Sequence, residues 1–332
     1  MIVDFIAWFS HLMETGYDLT WGIPVIIYLF LAGMGAGALA TSASVLLRGG
    51  PKGTYFRVAR FGAFIAPVPV GIGCGMLIFE LGSFEVGNYL RFLNLYKLIT
   101  ISPMSIGTWL LTFFLGVCAL YLLTFLPKDA APGDKYDIPR KILAWIAVPL
   151  GIGVAMYTGI LLGAMPSRPF WNSPILALLF LLSAMSSGIA CILLAWGIFP
   201  HKASDEEEER KFRDSGYLLT STDIMLLGME MIVLFLFIMY AHLTVGSIKN
   251  AVAVILPGGQ LAHLFWIWVV LIGILGPAII EMILVLPRLL NQKPFVVHRF
   301  VEIAVPIAIL TGGFMLRYVV VIAGQITYPI GF

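Results

Sequence analysis

Eight long apolar runs dominate this chain and leave little room for any other architecture. Each run has about 20–27 residues, enough for an α-helix to cross the roughly 30 Å hydrocarbon core of a bilayer. A membrane-crossing strand needs only about 9–11 residues, so the runs predict helices and an all-α integral membrane protein. The predicted spans cover residues 21–47, 58–82, 102–127, 141–164, 173–199, 218–245, 261–287 and 300–325.

The composition agrees with a multi-pass membrane protein. Of the 332 residues, 60% are hydrophobic and only 11% are charged, whereas soluble domains carry about 25% charged residues. Residues 1–20 are predicted to form an interfacial segment, and 21–332 a single membrane domain. The first twenty residues contain no Lys or Arg, so they lack the basic region of a cleavable signal peptide. A net charge of +2 gives no reason to expect a nucleic-acid partner.

The charges of the loops predict an orientation. The first, third, fifth and seventh interhelical loops and their edges carry 15 Lys and Arg residues, and the other loops carry 4. The positive-inside rule therefore places these basic loops in the cytoplasm and both termini outside, which for a bacterium is the periplasmic face of the inner membrane. The acidic run at 205–209 is interpreted as a solvated part of a cytoplasmic loop.

Ionisable residues inside the runs indicate chemistry in the membrane. Glu230, Glu281 and Arg317 lie well inside apolar segments, whereas Glu80 and Asp223 lie near segment ends. A charge in the bilayer core costs about 2.5–3.5 kcal/mol on insertion scales, so such residues tend to serve ions, protons or substrates. Two interpretations stay open. These acids form a proton relay toward the cytoplasm, or they make structural contacts between helices, including an ion pair of Arg317 with Glu80.

The cysteines and histidines do not predict a redox metal in this chain. Cys74, Cys118 and Cys191 are isolated, and no CxxC pair is present, so the chain offers no ligand set for an iron–sulfur cluster. The histidines do not form the facing pair in mid-membrane that a b-type haem requires. We therefore expect neither group here.

Six stretches, taken in order, resemble one family. They read WGIPVIIYLFLAGMGAGA (21–38), LIFELG (77–82), SPMSIGTW (102–109), YTGILLGAMPSRPFWNSP (157–174), LFLLSAMSSG (179–188) and GGFMLRYVVVIAGQ (312–325). Together they look like the membrane subunits of the NrfD/polysulfide reductase family. The resemblance covers almost the whole chain and includes an eight-span layout.

This resemblance implies a respiratory role. Such subunits bind menaquinone or ubiquinone near the outer face and exchange electrons with an extrinsic, four-cluster ferredoxin-like iron–sulfur subunit. A molybdopterin or multihaem cytochrome catalytic subunit lies beyond it. Tyr157 matches the family's quinone-site tyrosine, and Tyr28 stands where a family member has His. Glu80 stands where the family often has Asp.

The chemistry of a quinone agrees with these positions. A quinone needs an apolar slot and one or two hydrogen-bond donors at its carbonyl groups. Tyr157 can serve one carbonyl, and Tyr28 or His242 the other. Ser102 and Arg168 fall at the same outer depth, and Arg168 could also pair with a carboxylate or a partner protein. The alternative for both tyrosines is the aromatic belt at the membrane interface.

Two other functions compete with the redox interpretation. One is a secondary transporter or proton channel, which would show a solute site at the membrane midplane. The other is a passive anchor for extrinsic subunits. The redox interpretation predicts a quinone site near Tyr157. It also predicts that the outer loops at 91–100 and 167–174 dock the iron–sulfur subunit.

Overall fold

The computed structural model describes residues 21–49, 53–81, 91–97, 102–127, 131–199, 206–292, 295 and 297–327. Every regular element in these ranges is helical, and eight helices are long and apolar enough to cross a membrane. They are numbered spans one to eight: Ile23–Arg48, Phe56–Ile78, Pro103–Leu123, Asp137–Gly163, Ile175–Ile198, Glu206–Leu243, Leu264–Asn291 and Arg299–Ile326. The predicted all-α, eight-span architecture is confirmed. The predicted interfacial segment 1–20 lies outside the described residues.

Two spans contain a change of helix. Span two is broken at Ala66, because Pro67 lacks the N–H group that would continue the helix. Span seven begins as a π-helix and continues as an α-helix. The elements inside and between spans are the α-helices Phe56–Ile65 and Pro67–Leu81, the 3₁₀ helix Arg91–Tyr96, the α-helix Ser247–Val252, the π-helix Leu264–Leu275 and the α-helix Gly276–Asn291.

Spans one, five and eight form the centre of the bundle. Their apolar windows are 78%, 72% and 67% buried, compared with 28% for span three. Span one packs against spans two, four and five, and span five also packs against spans six and eight. A Cβ atom on Gly188 of span five would overlap the backbone of span one at Gly37. Glycine at this crossing therefore allows the two backbones to approach closely.

Span six is longer than the sequence predicts. The predicted start is residue 218, but the helix begins at Glu206, so the run 206–209 forms its first turn and is not a loop. Carboxylates are favourable at a helix N-terminus, where they meet the positive end of the helix dipole. An ion pair one turn apart, Glu209–Arg213 at 2.7 Å, adds further support.

Ion pairs join the spans at the end of the bundle where the basic loops lie, called the basic end below. Arg57 of span two pairs with Glu208 of span six at 2.6 Å. Arg288 of span seven pairs with Asp214 of span six, also at 2.6 Å. Ion pairs therefore join span six to spans two and seven at this end.

Arg140, at the start of span four, is fully buried at the same end. Its guanidinium lies over the rings of Phe56 and Phe125 at 4.9 and 4.6 Å, and it donates to the Thr124 carbonyl at 2.7 Å. It also pairs with Asp134 of the preceding loop at 3.2 Å. Burial alone would raise the pKa of Asp134, but the bonds and charge of Arg140, together with backbone N–H groups, lower that pKa below its usual value.

Candidate functional site

A cavity of about 240 Å³ opens at the end opposite the basic loops, called the tyrosine end below. Spans one to four and the short 3₁₀ helix enclose this tyrosine cavity. The polar side-chain groups among its described lining residues are the hydroxyls of Tyr28, Thr108 and Tyr157 and the indole N–H of Trp21, and the other side chains are apolar. The cavity therefore combines an apolar slot with two phenolic groups.

Span three holds the Tyr157 phenol in place. Tyr157 is 7% exposed, and its hydroxyl donates a hydrogen bond to the Pro103 carbonyl at 2.9 Å. Its ring lies against Gly107, where a Cβ atom would overlap the ring and the hydroxyl oxygen. The YTG and SPMSIGTW stretches therefore form one structural unit, in which Gly107 leaves the space that the phenol occupies.

Tyr28 of span one faces the same cavity in a different hydrogen-bonding state. Its side chain is 2% exposed, and its hydroxyl has no hydrogen-bond partner within the described part of the chain. The Tyr157 hydroxyl already donates its proton to a carbonyl, whereas the Tyr28 hydroxyl is available to donate. The cavity therefore presents one phenolic oxygen as an acceptor and one phenolic hydroxyl as a donor.

A set of aromatic and amide contacts holds Trp21, which lines the cavity. The backbone N–H of Trp21 donates to Gln325 Oε1 at 2.8 Å, and Gln325 Nε2 donates back to the backbone carbonyl of Trp21 at 3.1 Å. The Trp21 ring stacks on Trp171 at 5.3 Å, and Trp171 Nε1 donates to the Val320 carbonyl. Arg168 donates to the Gln325 carbonyl at 2.9 Å. Arg168 therefore fastens the end of span eight and does not line the cavity.

The 3₁₀ helix in the loop after span two forms part of the cavity wall through Leu95. Ser105 of span three donates to the Leu95 carbonyl. The Tyr96 hydroxyl shares a hydrogen bond with Thr112 at 2.8 Å, and its ring meets Trp109 edge to face at 5.4 Å. This loop, one of the two predicted docking loops, is thus fixed to span three.

The other predicted quinone contacts do not line the tyrosine cavity. Ser102 is half-buried just before span three, and its carbonyl accepts from the Ser105 N–H at 3.0 Å. His242 is exposed near the end of span six. Neither is among the described residues that line the cavity. The structure thus brings Tyr157 together with Tyr28 and not with His242. The side chain of Glu80 lies outside the described part of the structure.

Arg317 occupies the interior of the bundle and is fully buried. Its guanidinium donates to Ser183 Oγ at 2.6 Å, to the Gly313 carbonyl at 2.9 Å and to the Phe180 carbonyl at 3.3 Å. These neutral acceptors belong to spans five and eight. They supply part of what a buried cation needs and fix its position.

A series of buried acids continues from this arginine toward the basic end. Glu230 interacts with both Arg317 and Ser183, so the acid facing Arg317 is Glu230. Asp223 interacts with Glu230 and with Ser186 of span five. Glu281 of span seven interacts with Asp223, and its Oε2 atom has no hydrogen-bond partner in the described ranges. The structure therefore places the predicted inward series side by side.

The series ends at a second, larger cavity of about 630 Å³ at the basic end. Spans five to eight line this carboxylate cavity. Glu281 and Glu302 contribute carboxylates, and Trp196, Phe212 and Phe295 contribute aromatic walls. The sequence showed the acids but gave no signal that a cavity surrounds them.

No metal centre emerges from the part of the chain that the structure covers. In those residues, no three His, Cys, Asp or Glu side chains are grouped so that they could hold a metal ion. Cys118 is buried, and Cys74 and Cys191 are half-buried, all as free thiols.

The eight apolar helices define a multi-pass, all-helical integral membrane protein. The sequence matches the family described as Polysulphide reductase, NrfD, over residues 11–329. The protein therefore belongs to the NrfD polysulphide reductase family of membrane subunits, which confirms the predicted resemblance.

Curated relatives agree with this assignment. The C polypeptide of the polysulfide reductase of Wolinella succinogenes is 30% identical, with 94% of the present sequence and 96% of that protein covered. Protein NrfD of Escherichia coli K12 is 29% identical, with 93% and 96% covered. The C component of the selenate reductase of Mesobacillus selenatarsenatis is 24% identical, with 66% of the present sequence and 58% of that protein covered.

Proposed function

We propose that this protein is the quinol-binding membrane subunit of a respiratory oxidoreductase in a bacterial inner membrane. The observation that carries the proposal is the tyrosine cavity, in which Tyr28 and Tyr157 share an apolar slot. Its volume of about 240 Å³ suits a quinone ring, while the isoprenoid tail would extend into lipid. Either menaquinone or ubiquinone satisfies these requirements.

The hydrogen-bond polarity of the cavity favours the reduced form of the ligand. A carbonyl cannot donate, so the Tyr157 hydroxyl must give its proton to Pro103, and its lone pairs can only accept from a ligand. Tyr28 can donate to the ligand. A quinol hydroxyl both donates and accepts, whereas a quinone carbonyl only accepts. Quinol therefore satisfies both phenols at once, which supports electron flow from quinol to a partner.

Electrons from the quinol require an acceptor outside this protein. We propose an extrinsic, four-cluster ferredoxin-like iron–sulfur subunit at the tyrosine end, with a molybdopterin or multihaem cytochrome catalytic subunit beyond it. The loops at 91–97 and 167–174 flank the tyrosine cavity, and Leu93, Lys97 and Asn172 are exposed on them. With both termini outside, the same end faces the periplasm. Cross-links confined to the basic-end loops would contradict both assignments.

A proton route is a second element of the proposal. The buried series from Arg317 through Glu230 and Asp223 to Glu281 supports it, because it leads from the interior to the carboxylate cavity. Two protons leave each quinol on oxidation. Charge movement through this series would make turnover electrogenic. A transporter without redox chemistry would instead place a solute site at the midplane, whereas both cavities described here lie toward the ends of the spans.

The substitution Tyr157→Phe tests the quinol site. It removes the phenolic oxygen that accepts from quinol, and the loss of one such bond should weaken quinol binding about two- to tenfold. Quinone binding should change less, because a quinone carbonyl has no proton to donate. Tyr121→Phe is the matched control, since Tyr121 lies away from the cavity beside Ser42. Unchanged quinol affinity and turnover in Tyr157→Phe would remove Tyr157 from the site.

A further inference from the structure

The carboxylate cavity has features that a proton entrance alone does not require. Its volume of about 630 Å³ falls in the range of small-molecule pockets, roughly 300–1,000 Å³. Leu193, Leu284 and Val305 add aliphatic wall to the aromatic side chains already described. A water-filled entrance would gain nothing from walls that are this apolar.

The charges on the described lining residues are unbalanced. Arg213 is the one cation among them, and it already pairs with Glu209 at 2.7 Å. The remaining carboxylates are Glu281 and Glu302, and the latter also interacts with Arg299, which does not line the cavity. Glu281 is 2% exposed. Among the described lining residues, Glu281 thus has no basic side chain as a partner, and a bound cation would offset the cost of burying its charge.

The aromatic walls suit the same kind of cation. Trp196 stacks on Phe212 with their ring centroids 4.7 Å apart, and Phe295 lines another part of the cavity. Aromatic faces attract organic ammonium groups, most strongly when water is excluded. The Trp196 Nε1–H group is buried without an acceptor in the described part of the chain, so it can also donate to a polar atom of a ligand.

We propose that the carboxylate cavity binds the ammonium end of an amphipathic amine, with Glu281 as its deep counterion and Glu302 nearer the mouth. The alkyl part of the ligand would lie against the aliphatic wall. The phosphatidylethanolamine headgroup and a soluble lipophilic amine share this chemistry. Neither the family assignment nor the proposed quinol site implies such a ligand, so the two can fail independently.

Binding of octylamine and octanol to the full-length protein in a neutral maltoside detergent tests the proposal. The two probes have the same alkyl chain, and only octylamine carries a charge at neutral pH. We expect octylamine to bind more tightly, and Glu281→Gln to weaken its binding about tenfold or more, as for loss of a charged hydrogen bond. Glu207→Gln is the matched control, because Glu207 pairs with Lys211 at the start of span six and does not line the cavity.

Equal affinities for the two probes, or octylamine binding that is unchanged in Glu281→Gln, would overturn the proposal. If Glu281→Gln fails to fold, Glu302→Gln at the half-buried mouth gives the same comparison, with a smaller expected loss. Native mass spectrometry with added lipids distinguishes the sources. Retention of phosphatidylethanolamine over phosphatidylglycerol, with release by octylamine, supports a lipid ligand, whereas octylamine binding without lipid selectivity supports a soluble amine.

Discussion

The two ends of this bundle carry cavities of opposite chemical character. The tyrosine cavity is small and is lined by neutral phenols and by Trp21, which amide and aromatic contacts hold in place. The carboxylate cavity is more than twice as large and contains Glu281 and Glu302. A neutral lining suits an uncharged ring that carries electrons and protons together. An acidic lining suits cations, whether ammonium groups or protons.

The difference shows how one helical scaffold can separate two kinds of chemistry. Spans one to four enclose the tyrosine cavity and spans five to eight line the carboxylate cavity, while Arg317 and Glu230 are buried in the interior. A redox site that held permanent charge would lose selectivity for a neutral quinol. Placing the acids on spans six and seven, away from Tyr28 and Tyr157, keeps that charge apart from the quinol site.

The largest effect is expected at the junction between the two regions. Arg317→Met should lower the free energy of unfolding by about 3–5 kcal/mol, because it leaves Glu230 buried without its cation. Arg317→Met combined with Glu230→Gln should recover part of that loss. Denaturant titration in detergent measures both changes. As a control, Arg213→Gln breaks the exposed pair with Glu209 and should lower the free energy of unfolding by no more than about 1 kcal/mol. Equal losses for Arg317→Met and Arg213→Gln would show that Arg317 is not the counterion of Glu230.

The next effect concerns the tyrosine end alone. Gly107→Ala places a Cβ atom inside the Tyr157 ring, so the phenol must move, and a displacement of about 1 Å can cost about a hundredfold in turnover. Quinol-oxidation kinetics of the assembled complex measure it. Gly116→Ala, on the same helix with open space around it, is the matched control. Normal turnover in Gly107→Ala would show that the position of Tyr157 does not matter.

How far the sequence predicts this arrangement depends on the kind of feature. The spans follow from hydropathy, and the pairing of Tyr157 with Tyr28 follows from depth and the family resemblance. The contacts that hold Trp21 against Trp171 and Gln325 could not be predicted, because the hydrogen bonds between Trp21 and Gln325 join residues about 300 positions apart in the sequence. The predicted depth of His242 in the membrane equals that of the tyrosines, but depth does not show which spans are neighbours. Span six lies on the other side of the bundle centre.

Other features escaped prediction for local reasons. The π-helix of span seven has the same continuous apolar composition as an α-helix, and its packing of Gly273 against Gly312 depends on span eight. The acidic run at 206–209 looks like a loop by charge. It becomes helical because the helix dipole and ion pairs stabilise it.

A smaller effect is expected for the charge route. Glu230→Gln keeps the size of the side chain and removes its ionisable group. In proteoliposomes containing the full complex, it should reduce charge movement per electron more than it reduces electron transfer. Charge movement that stays constant per electron would make Glu230 a structural residue and would leave the tyrosine end independent of the carboxylate cavity.

The smallest effect is expected at the basic end, and it should diminish in acid. The pKa of Asp134 is lowered in the folded protein, so its stabilising contribution is present above the unfolded value of about 3.9 and is lost as the pH falls through the folded value. The difference in melting temperature between wild type and Asp134→Asn should therefore be largest near pH 6 and should shrink as the pH is lowered toward about 3. A constant difference between the two across that range would contradict the assigned role of the Arg140–Asp134 pair.

The central claim is that quinol binds between Tyr28 and Tyr157, and photolabelling tests it most directly. An azido-quinol activated by light in the purified complex should attach to the described walls of the tyrosine cavity, within 21–28, 103–111 or 157–161. An unlabelled quinol in excess should prevent the attachment. Protectable labelling at the carboxylate cavity, around Phe212 or Phe295, with none at the tyrosine cavity would contradict the claim.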